Sequence, residues 1–269
     1  MKQRAQPWLG TVVSIAADCE YEAFAPAFEA VALVHRLMSF HDADSDISRF
    51  NRAPVGACLR LHPHTWQVLH LATQMQAASD GIFNLACAPR LAGWRVLPAP
   101  ASAAPAYEPQ QAVFQCLEHD TVRKLRNGWI DAGGVAKGYA VDLAVAALLQ
   151  GDVTTGCVNA GGDLRVFGDR DWPVSVRDPR NPQRTHTQLL LRNESFATSA
   201  SYFSQREFEG QQVSALVDGR SGASMTGTAS VSVRAPCCAN ADALTKVVLV
   251  SLDVRHPALS QWQASAFII

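Results

Sequence analysis

Residues 129–142, "WIDAGGVAKGYAVD", decide how the rest of the chain is read. An apolar segment expected to be a strand reaches a carboxylate, Asp131. The chain then passes through Gly133, Gly134, Lys137 and Gly138 into an apolar, helical run. Glycines let the backbone approach a ligand closely and take positive φ. The helix start that follows presents unpaired N–H groups at its positive end, which suits it to cradle phosphate. Lys137 falls in the first turn, within reach of the same anion. Asp131 is placed to accept from a ring N–H or a ribose hydroxyl, or to orient Lys137. The pattern is neither G-x-G-x-x-G nor a Walker loop, because no Ser or Thr follows a Gly-Lys pair. These residues alone leave two readings open: a nucleotide or phosphate site, and a tight strand-to-helix turn carrying a surface salt bridge.

A second glycine segment, "NAGGDLRVFG" (159–168), places Gly161-Gly162-Asp163 between two expected strands. Alone it reads as a hairpin turn. Two glycine pairs about 30 residues apart, each beside a carboxylate, favour a ligand site over two unrelated turns.

Composition narrows the classes. A chain of 269 residues buries roughly three quarters of its unfolded surface and needs no metal or disulfide staple to fold. A net charge of −1 gives no basic field to hold nucleic acid or a membrane surface. No apolar run approaches the length of a transmembrane helix. The first residues lack an apolar core or a small-residue cleavage site, so the expectation is a cytoplasmic protein, or a periplasmic one had a leader been removed. Seven scattered cysteines without a C-x-x-C read as free thiols in a reducing compartment. His62-Pro63-His64 reads as a solvated turn, not a metal site.

Periodicity predicts a strand over 9–17 and a helix over 20–38, with Phe24, Ala27, Val31, Val34 and Met38 on one stripe. A loop with a short helical turn follows at 41–51, then a helix over 64–79. The Ala/Pro-rich stretch 98–109 reads as an exposed connector, and a hairpin turns at His119-Asp120. After the opening segment come a helix to about 150, strands near 153–159, 163–168, 173–177, 187–192, 213–218 and 229–235, a helix over 240–251 and a strand over 265–269. Without a regular βαβ rhythm, the expected class is α+β, with mixed sheets and packed helices, in one domain over 1–269.

The segments together resemble a known family. "LGT" (9–11), "MSFHDADSDISRFN" (38–51), "SDGIFNLACAP" (79–89), "DAGGVAKGYAVD" (131–142), "NAGGDLRVFG" (159–168), "FATSASY" (196–202), "VDGRSG" (217–222) and "ADALTKVV" (241–248) resemble, in order, motifs of the ApbE family, the FAD:protein FMN transferases. The resemblance implies an FAD-binding cleft. It also implies a reaction in which a Thr or Ser hydroxyl of an acceptor protein, such as a redox-protein subunit, takes FMN from FAD and releases AMP. By position it implies that Leu9, His41, Ile82, Phe83, Asn84, Asp131, Lys137 and Ala215 contact FAD. A Mg²⁺ ion is implied at the Gly134 carbonyl, Asp242 and Thr245, and the charged groups of catalysis at Lys137, Asp242 and Lys246.

Three positions depart from the family pattern. Ala215 stands where a catalytic His is expected, "TSA" (198–200) replaces T-S-G, and Lys246 stands where a Thr helps bind metal. Residues 242 and 246 share a helix face. Lys246 then forms either an ordinary intrahelical pair on a solvated face, or an ammonium in the ion's place with Thr245 the one hydroxyl left beside it. These departures keep two further functions open: FAD pyrophosphatase, giving FMN and AMP, and an FAD-binding protein with impaired catalysis.

Overall fold

A computed structural model describes residues 1–98 and 103–269. In chain order these form β1 (Lys2–Trp8), β2 (Thr11–Ala17), α1 (Phe24–Met38), α2 (Asp46–Arg52), β3 (Cys58–Arg60), α3 (Pro63–Ala78), α4 (Ala88–Gly93), β4 (Phe114–Cys116), β5 (Thr121–Lys124) and α5 (Ala136–Gln150). The order continues with β6 (Gly156–Ala160), β7 (Asp163–Phe167), β8 (Trp172–Asp178), β9 (Asn181–Leu191), β10 (Ser195–Ala200), β11 (Arg206–Phe208), β12 (Gln211–Val213), β13 (Ser230–Ala235), α6 (Cys238–Ser251), α7 (Pro257–Gln261) and β14 (Ser265–Ile268). The class is α+β. No helix among the described residues is long and apolar enough to cross a membrane.

The chain divides into two compact units, one of Met1–His35, Val135–Ala200 and Thr228–Ile269, the other of Arg36–Gly134 and Ser201–Gly227. The first holds an antiparallel seven-stranded sheet in the order β1-β2-β6-β7-β10-β13-β14. Helices α5 and α6 pack together and onto its central strands. Strand alternation separates the two faces. Leu164, Val166 and Phe196 join Val176 and Leu191 of the β8–β9 hairpin in one apolar cluster. Asp163, Arg165 and Ser199 point the other way, onto α5 and α6.

Neither α5 nor α6 has a local side-chain cap, and each supplies the other's. Asp242 Oδ2 accepts the Gly138 N–H at 3.1 Å. Asp142 accepts the Cys238 and Ala239 N–H groups, both at 2.9 Å. A carboxylate at a helix start satisfies an orphan amide and complements the dipole. The two helix starts meet so closely that a Cβ on Gly138 would lie 2.3 Å from the Cys238 carbonyl oxygen. Gly138 is therefore a packing requirement, not a hinge.

The second unit carries a three-stranded sheet, β3-β5-β4, a β11–β12 hairpin and α2 to α4. Lys124 is buried and donates to the Phe50 and Asn51 carbonyls at the end of α2. Burial pushes its pKa down.

Several expectations need correcting. Residues 129–131 are not a strand: the Asn51 side chain takes the place of a partner strand, accepting from the Ile130 N–H at 2.8 Å and donating to its carbonyl at 2.9 Å. The first strand is a hairpin, with Leu9 and Gly10, both at positive φ, as its two-residue turn. Strand β10 has no counterpart among the expected strands. Residues 214–218 form a fixed loop beyond β12, with a lone bridge from Val217 to Ser224. Of the connector 98–109, residues 99–102 lie outside the described residues, and Tyr107 is part-buried rather than exposed, its hydroxyl donating to the Gly219 carbonyl.

Gly138→Ala is expected to destabilise the protein by about 1–3 kcal/mol, the usual cost of forcing a methyl into a packed contact. Chemical denaturation measures it, and an unchanged midpoint would show that the helix starts can separate without cost.

Candidate functional site

In the first unit, Lys137, Asp163, Asp242 and Lys246 form one charged quartet. Lys137 ion-pairs with Asp163 and lies 3.6 Å from Asp242 Oδ2. Lys246 ion-pairs with Asp242 Oδ1 and donates to the Asp242 carbonyl at 2.9 Å. The Asp163 and Asp242 side chains are 3% and 0% exposed, those of Lys246 and Lys137 14% and 31%. The carboxylates thus lie behind and the ammoniums in front. The intrahelical 242–246 pair exists, but not on the solvated face that the sequence left open for it.

Burial works to raise the pKa of Asp242, but Lys137 and then Lys246 offset it and hold the carboxyl below its ordinary value. Asp163 is raised, by burial and then by the neighbouring Asp242 charge. For Lys137, burial is outweighed by Asp242 and Asp163, and its pKa rises. The ammonium stays charged.

Beside the quartet, the Thr245 hydroxyl donates to the Asp242 carbonyl at 2.6 Å and lies 2.7 Å from the Ser199 hydroxyl. Thr245 is therefore not the only hydroxyl at this point. The Gly138 amide, one of the N–H groups expected to meet phosphate, is already used by Asp242. Leu9 of the β1–β2 turn belongs to this unit too.

The second unit carries the other expected residues. The Asp131 backbone N–H donates to the Leu85 carbonyl at 2.9 Å, and its carboxylate accepts the Gly133 N–H. A Cβ at Gly133 would come within 2.8 Å of Asp131 Oδ2, so a larger residue there would have to push the carboxylate aside. Burial raises the Asp131 pKa from 3.8 to about 6, against the opposing pull of the Gly133 amide and His41. His41 is exposed, and Gly134 closes the segment.

Ile82 and Phe83 are buried. Their N–H groups donate to the Ser79 carbonyl and hydroxyl. Asn84 caps the next turn, accepting from the Ala86 N–H, and lies 3.5 Å from the Tyr107 hydroxyl. This segment meets the 214–225 loop directly. Gly219 donates to the Ile82 carbonyl, and a Cβ there would lie 2.4 Å from the Gly81 carbonyl oxygen. Ser214, Asp218 and Arg90 fix the loop through the Met225, Arg220 and Gly222 backbones. Ala215 projects from it, exposed, its N–H donating to the Ser204 hydroxyl.

Sequence reasoning did not assign Asp163 and Ser199 to the site. The glycine pair before Asp163 was a usable signal. Ser199 lies in the matched segment 196–202, but only strand pairing turns it toward Thr245. Among the described residues no group of three or more His, Cys, Asp or Glu could hold a metal. His62 instead caps α3 through the His64 N–H.

The sequence model of the ApbE family matches residues 9–267. An FAD:protein FMN transferase of Vibrio cholerae is 25% identical over 243 residues, 85% of this chain and 73% of its own length. One from Rhodobacter capsulatus is 33% identical over 134 residues, 49% of this chain and 26% of its own. One from Klebsiella pneumoniae is 23% identical over 205 residues, 72% and 64%. The chain thus spans less than two thirds of the length of the latter two. The crystal structure of an ApbE protein from Thermotoga maritima superposes with a TM-score of 0.85 at 23% identity, covering 100% of this chain and 94% of that one. The apo flavinyl transferase ApbE of Pseudomonas stutzeri gives 0.82 at 23%, covering 99% and 90%.

Asp131 yields a prediction independent of any ligand. Between roughly pH 4 and pH 6 the folded chain keeps a proton that the unfolded chain has lost, so stability falls as pH rises through that window. Thermal midpoints of the wild type and Asp131→Asn, compared across it, should diverge steadily, with the wild type losing ground. Parallel curves would mean that Asp131 titrates like a surface carboxylate.

Proposed function

This chain belongs to the ApbE family, and from that premise we propose that it is an FAD:protein FMN transferase, acting on a Thr or Ser hydroxyl of an acceptor protein. The observation that carries the reading is a family match over nearly the whole chain that includes all four members of the charged quartet. In the proposed reaction the acceptor hydroxyl oxygen bonds to the FMN phosphorus of FAD. The bond from that phosphorus to the bridging oxygen breaks, AMP leaves with the electron pair, and the hydroxyl proton goes to water.

Phosphoryl transfer of this kind depends mainly on in-line positioning and on neutralising charge on the phosphate oxygens. Lys137 and Lys246 are the groups proposed for that second task. Asp131, ionised above about pH 6, would accept from the flavin ring or the ribose. His41, Leu9, Ile82, Phe83, Asn84 and Ala215 are proposed to border the ligand. Hydrogen bonds within 79–86 fix the turn that carries Ile82, Phe83 and Asn84. The Mg²⁺ set implied by the resemblance does not fit this chain. The Lys246 ammonium is ion-paired with Asp242 Oδ1 and the Gly138 N–H is on Oδ2, so an ion at this carboxylate would have to displace the lysine, and no step is assigned to it.

Ala215 supports a second reading, an FAD-binding protein with little or no transfer, because the loop offers no base there. The two readings share one expectation: FAD binds more tightly than FMN, because the quartet meets the pyrophosphate and FMN lacks it. Calorimetry with both ligands tests this, and equal affinities would remove the pyrophosphate from the account. Ala215→His separates the readings. The loop is fixed and residue 215 exposed, so the new imidazole enters without repacking. A positioned base contributes about 10²–10⁴-fold, and transfer should rise toward that range. An unchanged rate would favour the binding protein.

A further inference from the structure

The quartet differs from a divalent-ion site in a way that can be counted. A small hard cation needs several oxygen lone pairs in near-octahedral array at about 2.0–2.1 Å. Here the Asp242 carboxylate already carries the Lys246 ammonium on Oδ1 and the Gly138 N–H on Oδ2, so the place beside Oδ1 is taken by a cation of the chain itself. Two ammoniums balance two carboxylates. An added ion would have to expel Lys246 from a buried pair, leaving one charge too many behind it.

The donors left over point to a different ligand. An ammonium has three N–H donors. Lys246 spends two on Asp242, on Oδ1 and the carbonyl oxygen, and Lys137 spends one on Asp163. Three donors on two positive groups remain, and these ammoniums are the more exposed half of the quartet. Asp163 and Asp242 behind them hold both lysines in place. Two ammoniums thus stand in front of two buried carboxylates, with N–H donors left for an anion.

We infer that Lys246, acting with Lys137, replaces the divalent cation in this chain, so that the site binds a pyrophosphate diester without metal. The inference rests on the flavin-nucleotide reading for the identity of the ligand, but not for its charge chemistry. One ammonium brings one positive charge where a divalent ion brings two. The site therefore suits a diester of pyrophosphate, with two negative charges, better than free pyrophosphate with more.

Titration of the full-length protein with FAD and with ADP-ribose, a pyrophosphate diester without flavin, in EDTA and then in Mg²⁺, tests the inference. Wild-type affinity for FAD should agree within about 3-fold between the two conditions. Lys246→Met should weaken both ligands by about 10-fold or more, the usual cost of losing a charged hydrogen bond. Lys246→Thr should acquire a dependence on Mg²⁺. Because Lys246→Met strips a partner from a buried carboxylate, the neutral pair Asp242→Asn with Lys246→Met serves as the folded alternative and should show the same loss. If wild-type FAD affinity collapses in EDTA, the inference is wrong while the flavin reading stands. If ADP-ribose binds in EDTA through Lys246 and FAD binds no better, the inference stands and the flavin reading falls. Absence of binding by either ligand in both conditions would overturn both.

Discussion

The first unit depends on the meeting of two helix starts. Helices α5 and α6 begin side by side, separated by no more than the missing side chain of Gly138, and neither carries a cap of its own. Each takes a carboxylate from the other, Asp242 for the start of α5 and Asp142 for that of α6. Unpaired helix-start amides in a buried position would cost more than any single contact returns. The exchange fixes the helix crossing and the register of both helices against β7 and β10. Arg165 of β7 completes it by pairing with Asp142 at 2.8 Å.

Asp242 therefore belongs to two systems at once. One of its oxygens closes the start of α5, while the carboxylate as a whole pairs with Lys246 and lies beside Lys137. A residue shared in this way couples site electrostatics to helix packing: the position of both lysines is set by the fold itself. Lys137 sits one residue before Gly138, so the close approach that demands a glycine also fixes where the first ammonium emerges. The same economy holds in the second unit, where Gly219 lets the 214–225 loop lie against residues 81–84 and Asn51 stands in for a strand beside Ile130.

Much of this was legible in the sequence, and the failures have physical causes. Lys137 in a helix's first turn, and the shared face of Asp242 and Lys246, follow from helical spacing and were correctly placed. The hairpin at His119-Asp120 was visible from alternation. Strand β1 was not, because "KQRAQPW" lies at a sheet edge, largely exposed, and shows no apolar alternation. Strand β10, "SFATSA", hides for the opposite reason: it is central, but built of small and hydroxyl residues with little strand signature. The segment "WID" reads as a strand by composition, yet the backbone of its central residue, Ile130, is satisfied by one side chain 79 residues away. Reciprocal capping left no local trace, because each cap comes from a helix about 100 residues distant in sequence.

The account as a whole turns on whether this site breaks the pyrophosphate bond of FAD and moves FMN to a hydroxyl. The most direct measurement incubates the protein with FAD and a panel of redox-protein subunits bearing exposed Thr and Ser, then reads intact acceptor mass and released AMP together. The account predicts an acceptor heavier by one FMN phosphoester for each AMP formed, with the flavin surviving acid precipitation on the protein. Recovery of intact FAD with every acceptor unmodified would contradict it.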